Sequence, residues 1–133
     1  PENLRRKLTQ SCVTVRGQVS PPDREFLEAH CVIVPTPIDL GIRVRILTAF
    51  SFGSCVVAHV ANRCGIPELE HGHNCLLGSS GQELANLCRE VALNLDLRTR
   101  LAKNARQTFE QSFSPSVAGG HICDALERLS NSW

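Results

Sequence analysis

Short apolar runs alternate along this chain with stretches in which apolar residues recur every three to four positions, the pattern of an α/β unit built on a parallel sheet. Val13-Thr14-Val15-Arg16-Gly17-Gln18-Val19 predicts a strand over 13–19. Ser20-Pro21-Pro22-Asp23 predicts a helix start, with Ser20 as N-cap, Pro21 in the first turn and an acidic residue three after the cap; the helix would run to about His30. Cys31-Val32-Ile33-Val34 predicts a strand over 31–35 covered on both faces and ended by Pro35-Thr36-Pro37. Ile42, Ile46, Ala49 and Phe50 fall at helical spacing, with Gly53 as the C-terminal stop. Strands follow over 54–58 and 74–77, the second after a His71-Gly72-His73 turn. Ser80-Gly81-Gln82-Glu83 is a capping box opening a helix with Leu84, Leu87, Cys88, Val91 and Leu95 on one stripe. A further helix from about Asp96 carries Leu97, Leu101, Ala105 and Phe109, and Ser114-Pro115 caps a last one with Ile122, Ala125 and Leu129 on one side. No repeat, linker or low-complexity stretch divides residues 1–133, so they read as one α/β unit ending in helices.

Composition narrows the function classes. Of 133 residues 42% are hydrophobic and 20% charged, which is globular and not disordered. Fourteen basic residues against 13 acidic ones leave a net charge of +1, and the basic residues are scattered. That removes the electrostatic footprint of a nucleic-acid or polybasic membrane binder. No apolar run is long enough to span a bilayer, and no secretory leader pattern is visible. The chain begins at Pro1 and has no methionine, from which we expect it to be a piece of something longer.

Seven cysteines, an odd number with no C-x-x-C spacing, predict reduced thiols and a reducing compartment. His71 and His73 lack a cysteine pair at ligand spacing, so no metal site is expected. Glu68 and Glu70 could form an acid–base pair, but beside Pro67 and His71 they read as capping a short helix. His59, at the carboxyl end of a strand, reads as a structural histidine with a functional role as its alternative. Trp133 is a lone terminal aromatic expected to pack back on the body.

In open parallel sheets ligands sit beyond the carboxyl ends of the strands, here the connections after Val19, from Pro35 to Arg45 and from His59 to Glu68. The second is the most informative. Gly41 is predicted at the mouth of a helix with Arg43 and Arg45 in its first turn. Free backbone N–H groups, the positive end of the helix dipole and two guanidinium groups suit a phosphate or diphosphate. The alternative is two solvated arginines that happen to open a helix. Neither the P-loop nor the G-x-G-x-x-G pattern is present.

These residues also carry a family resemblance. Gly41-Ile42-Arg43-Val44-Arg45-Ile46-Leu47-Thr48-Ala49, then Gly53 and Val56-Val57-Ala58, resembles the "G-x-R-x-K-x-L-E-A-x-x-x-G-x-x-V-V-A" segment of group 1 retaining glycosyltransferases of the GT-B fold. The likeness continues through Gly65-Ile66-Pro67-Glu68-Leu69, Gly72-His73-Asn74, Leu76-Leu77, Glu83-Leu84-Ala85, Asp96-Leu97-Arg98, Leu101-Ala102, Asn104-Ala105-Arg106 and Phe113-Ser114. Upstream, Gly17-Gln18-Val19 and the stretch from Ala29 to Pro35 resemble its "G-x-V … A-x-V-x-V-x-P" part, so roughly residues 13–129 are covered.

The resemblance implies a Rossmann-like parallel sheet flanked by helices: a single, partial nucleotide-sugar-binding domain, the C-terminal half of a GT-B enzyme with its first strands outside the chain. It implies donor contacts at Val19 (nucleobase), at Gly41, Ile42, Arg43 and Arg45 (diphosphate), and at the ribose position, where the family's acidic residue is replaced by Thr48. Arg45 stands for the motif's lysine, and Leu40, with Asp39 beside it, stands where the family often has another acidic residue. No catalytic residue is assigned, because the acceptor site and catalytic group belong to the N-terminal domain. The chain alone is therefore expected to be inactive, with that domain as its partner in a full-length cytoplasmic protein that could sit peripherally on a membrane. The nucleotide-diphosphate sugar is a substrate, and no cofactor or metal is expected. Two alternatives come from other classes: a non-catalytic nucleotide-sugar or anion binding module, motivated by Thr48, and a flavodoxin-like regulatory domain.

Overall fold

A computed structural model of the chain describes residues 12–39 and 41–130. The order of elements is α1 (Asp23–Glu28), β1 (Val32–Val34), α2 (Val44–Ser51), β2 (Val56–His59), a 3-10 turn (Val60–Cys64), β3 (Leu76–Gly78), α3 (Gly81–Leu93), α4 (Leu95–Ser112) and α5 (Pro115–Ser130). The three strands form a parallel sheet in the order β1-β2-β3, with Val32 paired to Val56 and Val57 to Leu76. All three carboxyl ends (Val34, His59 and Gly78) therefore lie along one edge.

Side-chain alternation sorts the strands onto two faces. Val34, Val56 and Ala58 pack with Ile46, Ala49 and Phe50 of α2. Val57 and Leu76 point the other way and pack with Leu84 and Val91 of α3. α4 serves both cores, giving Leu101 to the second and Ala105 to the first. The result is the helix–sheet–helix layering predicted from the alternation of strand and helix periods.

Local chemistry fixes the ends. α2 closes in a Schellman arrangement, Ser54 N–H donating to Ala49 O at 2.9 Å and Gly53 N–H to Phe50 O at 3.0 Å, with Gly53 at φ +64°. Ser54 Oγ donates to Phe26 O at 2.8 Å and ties α1 to the start of β2. Asn94 ends α3 and caps α4 by accepting from Leu97 N–H at 3.0 Å, so the further helix expected from about Asp96 begins at Leu95. Buried Asn74 holds the preceding turn through Glu70 N–H, Glu68 O and Thr108 Oγ1.

Three expectations are corrected. Residues 13–19 form no strand: Val13 and Val15 are exposed, they have no ladder partner among the described residues, and the segment is tied to α1 by an Arg16–Glu25 ion pair at 3.6 Å. Alternation without a neighbouring strand cannot become sheet. Ser20 is not an N-cap: α1 begins at Asp23 after Pro22, without a side-chain cap. The cause is the double proline, since a residue before proline is pushed out of the helical region and Pro21 cannot be the first helical residue. The strands are also shorter than predicted, because Ser54, Cys55, Asn74 and Cys75 anchor the chain just before β2 and β3.

The outer edge of β1 is unpaired among the described residues, and Ile33 is 45% exposed. On α5, Ile122, Leu126 and Leu129 are each more than 60% exposed, so its apolar stripe packs against nothing described. No described helix is long and apolar enough to cross a membrane.

Candidate functional site

At the carboxyl edge, the segment leaving β1 runs to α2 and makes the turn at which Gly41 sits. Gly41 has φ +54°, a left-handed conformation that glycine adopts at no steric cost. That conformation ends any helix, which corrects the expected start: α2 begins at Val44, Arg43 is its N-cap, and Gly41 and Ile42 belong to the approach. Arg43 supplies no capping side-chain bond, and its carbonyl accepts from Ile46 N–H at 2.8 Å. The N–H groups of Val44 and Arg45 carry no hydrogen bond among the described residues. An uncapped helix start offers open donors and a partial positive charge.

The two arginines differ. Arg43 turns back onto its own loop, Nη2 donating to Ile38 O at 3.3 Å, while its Nε is buried without a partner among the described residues. Arg45 is exposed, and its guanidinium has no hydrogen bond or ion pair among the described residues. One loop thus holds a weakly engaged cation and an unengaged one beside the open N–H groups. Ile42 and Val44, 57% and 70% exposed, give the mouth an apolar rim.

Thr48 lies one turn further along α2. Its Oγ1 donates to Val44 O at 3.0 Å, so the hydroxyl proton is spent inside the helix. Val19 is half-buried in the coil before α1, and no hydrogen bond joins it to residues 41–48 among the described residues. Gly41, Ile42, Arg43 and Arg45 follow one another through the approach and first turn of α2. Leu40 and Trp133 lie outside the described residues.

Beside this loop, the turn after β2 is densely bonded. His59 Nδ1 accepts from Ala61 N–H at 3.2 Å, and Nε2 lies 3.0 Å from Ser79 O. The first bond fixes the neutral tautomer with its proton on Nε2, so both ring nitrogens are used structurally. Asn62, 2% exposed, donates from Nδ2 to His59 O at 2.8 Å and to Thr36 O at 3.4 Å. Gly65 lies against the Gly41–Ile42 peptide so closely that an added Cβ would overlap the Gly41 carbonyl and come within 2.9 Å of Ile42 N. Sequence reasoning names Gly65 only within the family likeness, without a role, and passes over Asn62.

Past β3, the capping box forms with one change. Ser80 Oγ accepts from Glu83 N–H at 3.2 Å, but the Glu83 carboxylate returns to Ser79, accepting from its N–H at 2.6 Å and from its Oγ at 2.8 Å. Those bonds from Ser79, the backbone one first, hold the Glu83 carboxyl below its ordinary pKa. Glu68 and Glu70 cap no helix, which corrects the expectation: the 3-10 turn ends at Cys64, and the bonds around them engage their main-chain groups in a turn. No group of three potential metal ligands occurs among the described residues. All seven cysteines are free thiols.

A family model for group 1 glycosyl transferases matches residues 1–94. No curated protein matches the chain. Among solved structures, the crystal structure of Anabaena HepE in complex with UDP-glucose superimposes with a TM-score of 0.84 at 22% identity. The match covers 96% of this chain and 36% of that one, so the chain spans about a third of that relative's length, and likeness at this identity speaks to the fold.

Proposed function

The chain belongs to the group 1 glycosyl transferases, and from that premise we propose that its carboxyl edge binds the diphosphate of a nucleotide-sugar donor. One observation carries the reading: the open N–H groups of Val44 and Arg45 and the unengaged Arg45 guanidinium share one loop–helix junction at the end of a parallel sheet. When a glycosidic bond to a diphosphate breaks, negative charge grows on the departing oxygen. Fixed N–H dipoles and a guanidinium facing that oxygen stabilise the charge without reorganising. Arg43 needs only to exchange its 3.3 Å bond to Ile38 O for a charge-assisted one to join them. This chemistry asks for no metal or cofactor. The Anabaena relative was solved with UDP-glucose, which makes a uridine diphosphate sugar the first donor to try.

The acceptor site and the catalytic group are assigned to the remainder of a longer protein, an N-terminal GT-B domain, in line with the third of the relative that this chain spans. On that reading residues 1–133 are the donor-binding part and transfer no sugar alone. Free thiols support a cytoplasmic setting.

A second reading, a nucleotide-sugar binding module without transferase activity, is favoured by Thr48. A hydroxyl whose proton is bound to Val44 O cannot hold two ribose hydroxyls as a carboxylate does. Donor turnover by the full-length protein separates the two: hydrolysis or transfer from a nucleotide sugar supports the enzyme, and binding without turnover supports the module.

A further inference from the structure

Among the described residues of the stretch 36–42 no backbone–backbone hydrogen bond occurs. Arg43 Nη2 donates to Ile38 O at 3.3 Å. Two further contacts come from the turn after β2, which is densely hydrogen-bonded. His59 caps it through Ala61 N–H, Asn62 Nδ2 bonds His59 O, and Asn62 O accepts from Gly65 N–H and from Ile66 N–H at 3.2 Å. Ile66 and Leu69, both with no exposed surface, anchor its exit in the core.

We propose that this turn is the template of the diphosphate loop, with Gly65 and Asn62 as positioning residues: Gly65 by letting the Gly41–Ile42 peptide lie against its Cα, Asn62 by tying Thr36 O at the loop's other end. The proposal rests on the diphosphate reading for its functional consequence, but not for its geometry. The two contacts bracket the loop and fix where Gly41 turns, and so where the N–H groups of Val44 and Arg45 point.

Gly65 allows a clean test because its own backbone does not require glycine. At φ −92° and ψ −16° it lies in the right-handed helical region, where alanine is comfortable. Gly65→Ala therefore acts on the neighbouring loop through the overlap with the Gly41 carbonyl. In the full-length protein three quantities are measured for wild type and variant: the cooperativity of thermal melting, the rate of limited tryptic cleavage after Arg43 and Arg45, and calorimetric affinity for UDP, GDP and ADP against their nucleosides. The expected result is retained cooperative melting and faster cleavage at the displaced loop. Diphosphate affinity should fall at least about tenfold, the loss of one charge-assisted contact, with nucleoside affinity unaltered. Asn62→Ala should speed cleavage after Arg43 in the same way. Unchanged cleavage and diphosphate affinity in Gly65→Ala overturn the proposal, and so does loss of the folded core, because the substitution should displace the loop alone. Should wild type bind none of the diphosphates, the donor reading falls, and the template is judged on the cleavage data by itself.

Discussion

Arg45 and Thr48 occupy one face of α2, three residues apart, and substituting them is expected to move ligand affinity in opposite directions. The Arg45 side chain is exposed and makes no described bond, so its removal leaves the fold alone. A charge-assisted contact to phosphate is worth roughly 1.5–3 kcal/mol. Arg45→Ala should thus weaken nucleoside diphosphate binding about tenfold or more by calorimetry, with the free nucleoside unaffected; an unchanged diphosphate affinity would exclude this guanidinium from the site. Thr48→Glu replaces a hydroxyl spent on Val44 O with a carboxylate able to accept two ribose hydroxyls, and should tighten binding of the nucleoside portion. The thiols give a second residue-scale test. Burial pushes Cys31 and Cys75 up to about 12 and Cys55 to about 11, Cys31 with a further contribution from neighbouring Cys88. Alkylation follows the thiolate. At pH 8 iodoacetamide should label exposed Cys12, Cys64 and Cys123 well before these three, with the order read by peptide mass spectrometry. Rapid labelling of Cys75 would mean that the core opens. Denatured without reductant, the protein should titrate all seven thiols.

Among the elements, α3 shows how far local rules reach. Its capping box, apolar stripe and turn chemistry agree, and the helix forms over Gly81–Leu93. The Glu83 carboxylate should contribute stability as an anion, since bonds from Ser79 hold its pKa below the ordinary value. A lowered folded-state pKa means that the contribution is present above the carboxyl's unfolded value and is lost as pH falls through the folded one. Glu83→Ala should therefore melt below wild type at neutral pH, and the gap should close in acid; a gap independent of pH would assign the effect to helix propensity. Where the sequence reading fails, the missing information is nonlocal. Val13 and Val15 alternate correctly, but a strand exists only with a neighbour, and none is described. The Schellman end at Gly53 and the break before a further helix near Asp96 depend on residues beside them and were readable; the capping role of Asn94 at that break was not. At the site, Gly41, Ile42, Arg43 and Arg45 were legible because a helix mouth is a local feature. The contacts of Asn62 and Gly65 were not, because they reach residues 26 and 24 positions away.

For the molecule as a whole, the parallel sheet gathers three carboxyl ends on one edge, and that edge carries the unengaged arginine and the uncapped helix start. Among the described residues the outer edge of β1 is unpaired and the apolar stripe of α5 is exposed. The central proposal is that the mouth of α2 receives a diphosphate. The most direct test is calorimetric titration of the full-length protein with UDP, GDP and ADP, each against its monophosphate and its nucleoside. At least one diphosphate should bind more tightly than its monophosphate and nucleoside, and Arg45→Ala should erase most of that preference. Equal affinities across each series, or a preference that survives the loss of Arg45, would contradict the assignment.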